Sequence, residues 1–181
     1  MQTLSPEPEI GIPAATLGTT VNVLTQVLSD EHVLCMKLRN CHWNVEGDHF
    51  RDLHALFEEQ YEIIGVRIDK VAERVRALGA KTIGTMTEYL QRTALLEHPG
   101  KFPSAKNMLR DLLGDHGTVI RFIRTSLASS SEHYLDVGSI DLLTVLMQDH
   151  ERMAWIMRAT LSGSFDDDQP HRAERLCVLY E

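Results

Sequence analysis

The chain has 181 residues, 43% of them hydrophobic, which suits one domain with a real core and leaves little for a second. Its 26 acidic and 18 basic side chains give a net charge of -8, which repels polyphosphate backbones, and no Lys- or Arg-rich run offsets it. Three cysteines without paired spacing make no disulfide framework, and the N-terminal stretch has neither a basic region nor a long apolar run, so a reduced cytoplasmic protein without a membrane span is expected.

Residues 1–18 read as a flexible N-terminal tail and residues 19–162 as the folded unit. Apolar side chains first recur at three- and four-residue steps from Val21 to about Val45, including Leu24, Val27, Leu28, Leu34, Leu38 and Cys41, as in an amphipathic helix. Gly47 favours a left-handed stop, and Asp48 is placed to cap a second helix. From Phe50 to Leu78 the same alternation (Leu53, Phe57, Tyr61, Ile64, Ile68, Val71, Val75) predicts that helix, about 43 Å long. A long connection over 79–103 carries a capping-box pattern at Thr85 and Glu88, which predicts a short helix through about Leu95. Ser104 opens a third long helix (Met108, Leu112, Val119, Ile123) and Ser139 a fourth (Ile140, Leu143, Met147, Ala154, Leu161), ending before Gly163. In these two helices His116 and His150 fall near apolar stretches and read as hydrogen bonders at the edge of the core. Residues 163–181 read as a C-terminal tail. No segment alternates like a strand, so the fold class is all-α, a four-helix bundle with a short extra helix in a long second-to-third crossover, the connectivity of ferritin-like bundles.

On the second helix, His54, Glu58, Glu62, Asp69 and Glu73 form a stripe centred roughly 115° from the apolar one, pointing out of the subunit. Such a stripe is ordinarily a solvated acidic face. Two observations suggest more. His42 and His54 are each six residues from Asp48, so an antiparallel hairpin brings them face to face, with Glu58 one turn further on. Two imidazoles and a carboxylate are half a ligand set for a first-row transition metal. Asp69 and Glu73 share the stripe, but Asp69 lies roughly 16 Å beyond Glu58 along the helix, so one chain cannot close the site.

A two-fold axis can. If two copies of the second helix pack antiparallel across an axis near residues 63 and 64, His54 meets Glu73 and Glu58 meets Asp69 in the same register, with Gly65 permitting close approach. An interface made only of histidine and carboxylate hydrogen bonds would use the same register. Other metal and phosphate motifs are missing: there is no His-Glu-x-x-His, no Cys-x-x-Cys and no glycine-rich phosphate loop. The only Glu-x-x-His, Glu46 to His49, is broken by Gly47, which speaks against a di-iron site inside one bundle.

His42-Trp43-Asn44-Val45, Gly47, Phe50, Leu53-His54, Phe57-Glu58, Tyr61, Asp69 and Ala72-Glu73-Arg74 closely resemble the signature of the Dps proteins, the bacterial mini-ferritins, over residues from about 20 to 161. The resemblance implies a hollow homododecamer with two-iron ferroxidase centres at its dimer interfaces, which oxidises Fe²⁺ with hydrogen peroxide or oxygen, stores ferric mineral inside and protects against oxidative stress. It implies iron ligation by His42, His54 and Glu58 of one chain with Asp69 and Glu73 of its two-fold mate, and zinc as a substitute metal. Glu58 stands where many family members have aspartate. Trp43 matches a tryptophan that can supply electrons during peroxide reduction, while packing at a helix end would also account for it. Asp141 matches an acidic residue lining three-fold iron-uptake pores, with Asp136 and Asp149 able to extend the path; favourable placement near a helix N-terminus would also account for Asp141.

DNA-binding members of the family commonly use a basic tail. Residues 1–36 here contain no lysine or arginine, and Arg172 and Arg175 are offset by Asp166 to Asp168, so no strong DNA binding is expected at physiological salt. The rival from another class is a non-catalytic shell of the same fold that binds DNA or zinc.

Overall fold

A computed structural model describes residues 8–128 and 135–164, and the expected C-terminal tail beyond Ser164 lies outside them. The described residues form five helices: α1 (Ala14–Asn44), α2 (Phe50–Ala77), the short α3 (Met86–Arg92), α4 (Ala105–Ala128) and α5 (Val137–Ser164). The long helices form the expected bundle, α1 pairing with α2 and α4 with α5, while α3 lies in the crossover.

α1 begins at Ala14, so residues 14–18, assigned to the N-terminal tail by composition, are helical. Pro13 supplies an extended N-cap, Ala14 and Ala15 are strong helix formers, and Ile12 and Leu17 pack against the core. The α1–α2 turn has Gly47 at φ 106°, where a side chain would be strained. His49, not Asp48, is the N-cap residue of α2, and it makes no side-chain cap bond. At α3 the capping box forms as expected: the Thr85 hydroxyl accepts from the Glu88 amide, and the Glu88 carboxylate accepts from the Thr85 amide. α5 starts two residues before Ser139 because Asp136 caps it, accepting from the Ser139 amide at 3.1 Å.

The crossover is fastened to α1. One oxygen of Asp30 accepts from the Thr93 hydroxyl and the Ala94 amide, both at 2.8 Å, and the His32 ring stacks on Tyr89. Lys37 donates to the Leu96 carbonyl at 2.7 Å and pairs with Asp115 on α4.

Leu24, Leu28, Leu34 and Leu38 of α1, Leu53, Phe57 and Ile64 of α2, Leu112 and Ile123 of α4, and Leu143 and Leu146 of α5 are fully buried. Each contributes about 1.5–3 kcal/mol by leaving water, and Phe57→Ala would cost about 3–5 kcal/mol. Through this core runs a polar relay with one member from each long helix: Gln60, His116, His150 and Glu31, all buried. His116 Nε2 lies 3.2 Å from Gln60 Oε1, the two Nδ1 atoms of His116 and His150 are 2.9 Å apart, and His150 Nε2 lies 2.6 Å from Glu31 Oε1.

The relay joins all four long helices through hydrogen bonds inside the core. Burial, then the nearby His150, holds the His116 imidazole well below the usual basicity, so it stays neutral there and offers one donor and one acceptor to its two partners. His116 and His150 are thus the polar centre of the core and not, as their sequence neighbours suggest, its edge.

Candidate metal centre

The α1–α2 hairpin does bring His42 and His54 together. Their rings stack at 3.7 Å between centroids, 22° from parallel. His42 Nδ1 lies 2.8 Å from the His54 carbonyl oxygen, and His54 Nδ1 lies 2.8 Å from that of His42. A carbonyl can only accept, so both Nδ1 atoms carry protons, and in the neutral imidazoles the lone pairs lie on the Nε2 atoms. That is the tautomer a metal ligand needs, with the second nitrogen fixing the ring. His42 is buried, His54 is half-buried, and Phe50 leans on His54 at 5.1 Å. Phe50, which the apolar stripe assigns to the core, is accordingly exposed at the hairpin tip.

Glu58 projects from the exposed face of α2, and its Oε1 accepts a hydrogen bond from the Tyr61 hydroxyl at 3.2 Å. Asp69 and Glu73 are on the same helix, Asp69 exposed to solvent with Glu73 one turn further along. Among the described residues of one chain, no three His, Cys, Asp or Glu side chains converge on a point that could hold a metal ion. Within one chain, then, the paired His42 and His54 do not converge with Glu58 on one point, and Asp69 and Glu73 lie further along α2. At Gly65, on the outward face, an added Cβ would meet open space in the isolated chain.

Tyr61 falls on the apolar stripe, yet its hydroxyl and ring both serve the polar cluster. The ring meets His42 edge-on at 5.4 Å, and the Arg39 guanidinium lies 4.8 Å from its centroid. Burial first, then donation to Glu58 and the Glu58 charge, push the phenol above its usual range, so it remains a donor at neutral pH. The spacing of Tyr61, three residues past Glu58 on a helix, is the signal that marks the pair.

Trp43 is 63% exposed and lines a cavity of about 340 Å³ under the crossover with Met36, His98 and Phe102. Of the three acids considered for a pore, Asp141 is exposed on α5 one residue beyond its first turn, too far along for an N-terminal role to explain it fully. Asp136 is buried as the α5 cap and paired with Arg74, which also donates to the Ser139 hydroxyl. Burial raises the Asp136 pKa, but the bonds from Ser139 and the Arg74 charge outweigh it and hold the carboxyl below its usual range. Asp149 pairs with Arg67 of α2.

The ferritin-like domain family matches residues 21–163. An uncharacterised low temperature-induced protein of Nostoc sp. is 41% identical over 158 residues, covering 87% of this chain and 88% of that one. DNA protection during starvation protein 2 of Bacillus anthracis is 33% identical over 144 residues, covering 78% and 96% respectively. Among solved structures, DpsC from Streptomyces coelicolor superposes with a TM-score of 0.82 at 27% identity, covering 88% of this chain and 92% of its own.

Proposed function

Because this chain belongs to the Dps family of the ferritin-like superfamily, whose members serve iron storage and protection, we propose that it is a ferroxidase of the cytoplasm working in a hollow homododecamer. Its substrates are Fe²⁺ and hydrogen peroxide or oxygen, and ferric mineral accumulates inside the shell. His42, His54 and Glu58 of one chain and Asp69 and Glu73 of its two-fold mate bind the iron. The observation that carries this reading is the reciprocal lock of His42 and His54, which fixes both rings through their Nδ1 atoms, with the exposed Glu58 one helical turn beyond His54.

The donor set suits the reaction. Imidazole accommodates Fe²⁺, hard carboxylates stabilise Fe³⁺, and a mixed set serves both states. Hydrogen peroxide takes up two electrons and two protons to leave as two waters, so two Fe²⁺ ions side by side reduce it without releasing a one-electron radical product. Trp43, next to His42 in sequence, is a reserve electron donor in this scheme. Asp141 lines the iron-uptake path, while the pairing of Asp136 with Arg74 and of Asp149 with Arg67 gives those two acids a structural share.

The test is anaerobic loading with Fe²⁺ followed by peroxide or oxygen, recording ferric absorbance for the wild type and for His42→Ala combined with His54→Ala. The variant should lose rapid oxidation; equal rates would remove the site assignment. Size-exclusion mass should fall near twelve times 20.5 kDa, and a stable monomer would remove the shared site altogether.

A further inference from the structure

We propose that Tyr61 is a positioning residue that holds the Glu58 carboxylate ready for a cation and keeps the Arg39 guanidinium away from it. The inference rests on the reading of Glu58 as an iron ligand and adds a residue to which that reading gives no role. Glu58 is exposed and has three side-chain torsions, so fixing it on a metal carries a cost in rotamer entropy. The Tyr61 hydroxyl reduces that cost in advance by engaging Oε1 at 3.2 Å. A phenol has one proton to give, so Oε2 stays available to a cation.

The backbone of Tyr61 is tied in turn to α1, its carbonyl accepting from the Cys35 thiol at 3.7 Å, and its ring meets His42 edge-on at 5.4 Å. One aromatic side chain therefore touches both an imidazole and a carboxylate of the half-site. It also occupies the competing cation. Arg39 lies three residues before His42 on α1, and a guanidinium that reached Glu58 could engage both carboxylate oxygens in a bidentate pair, displacing a metal. Its guanidinium instead lies over the Tyr61 ring, 4.8 Å from the centroid. The ring face attracts the cation and the hydroxyl at its rim binds the carboxylate, so the two charges are held by one residue without being joined.

Two substitutions separate these roles. Tyr61→Phe removes the hydroxyl and keeps the aromatic face; Tyr61→Leu removes both. Anaerobic titration of the assembled protein with Co²⁺ alone, followed by its visible absorption, reads metal affinity apart from turnover. Tyr61→Phe should weaken Co²⁺ binding about tenfold, in the range that outer-shell partners command. In a Glu58→Ala background the same change should cost nothing, because the hydroxyl then has no carboxylate to hold. Tyr61→Leu should weaken binding further than Tyr61→Phe, and Arg39→Ala should restore the difference. If Tyr61→Phe binds Co²⁺ as tightly as wild type, or costs the same with and without Glu58, the positioning role is overturned while the metal site stands. A wild-type protein that shows no saturable Co²⁺ spectrum overturns both.

Discussion

His42 and His54 orient each other through backbone carbonyls, not through each other's rings. Each single substitution therefore spares the other ring. His42→Ala keeps the residue 42 carbonyl, so the His54 Nδ1–H retains its acceptor and its Nε2 stays aimed, and the converse holds for His54→Ala. Each single variant should lose one ligand and weaken Co²⁺ binding by at least about tenfold, and the double variant should bind clearly more weakly than either single one. A single variant as damaged as the double would show that ring stacking, worth about 0.5–1.5 kcal/mol, sets the orientation after all.

A site divided between chains also predicts complementation. A chain with His42→Ala and His54→Ala still offers Asp69 and Glu73, while one with Asp69→Ala and Glu73→Ala still offers the histidines and Glu58. Neither alone should oxidise iron rapidly. Co-expressed in equal amounts, half of the two-fold dimers are mixed and each carries one intact site of two, so about a quarter of wild-type activity should return. If co-expression restores nothing, the ligands do not come from two chains.

The encounter of His42 with His54, and the distance of Asp69 and Glu73 from them within one chain, are legible in the sequence because they rest on helical register alone. The spacing of His42 and His54 about Asp48 fixes their encounter, and the distance from Glu58 to Asp69 on a straight helix forbids a one-chain site. The bundle and its crossover are legible for the same reason, from periodicity and the Thr85–Glu88 box. Long-range polar pairing is not. Nothing local to Glu31 or His150, 119 residues apart, marks them as partners. The start of α5 at Val137 is hidden because the stronger local signal, Ser139 before an apolar run, masks the cap at Asp136. Tyr61 is ambiguous because its ring satisfies the apolar period while its hydroxyl does not.

The buried contact between Glu31 and His150 can be tested by substitution. Glu31→Gln keeps the shape, and its amide can pair with His150 Nε2 as donor or acceptor, so it should fold with little loss. Glu31→Leu leaves that nitrogen buried and bare and should cost about 1–3 kcal/mol of unfolding free energy. Similar losses for both would mean that the carboxylate's charge, not its hydrogen bond, matters there.

His116 makes stability depend on pH. Its folded-state pKa is depressed, so below about pH 6.5 the unfolded chain binds a proton that the folded chain refuses. The contribution is complete above that value and is lost as pH falls towards the folded pKa, at up to about 1.4 kcal/mol per pH unit. His116→Gln should therefore be less stable than wild type at neutral pH yet show a shallower decline in acid. Urea unfolding of both proteins across the imidazole range measures the two slopes, and parallel slopes would refute the assignment.

Asp136 and Asp141 should separate cleanly when iron uptake and stability are measured together. Asp136 caps α5, and Arg74 and Ser139 hold its carboxyl ionised, so Asp136→Ala should cost about 0.5–2 kcal/mol from the lost cap alone. Because its folded pKa is depressed, the stability that its charge contributes is present above the ordinary carboxylate range and disappears as pH falls through the folded value. Asp136→Asn retains the cap and loses the ion pair, so it should recover most of the neutral-pH stability. Asp141 is exposed and does not cap the helix, so Asp141→Asn should leave stability within about 0.5 kcal/mol of wild type. If Asp141 lines the uptake path, Asp141→Asn should slow ferric accumulation inside the shell, whereas Asp136→Asn should slow it far less. Unchanged accumulation in Asp141→Asn would place the uptake route elsewhere on the shell.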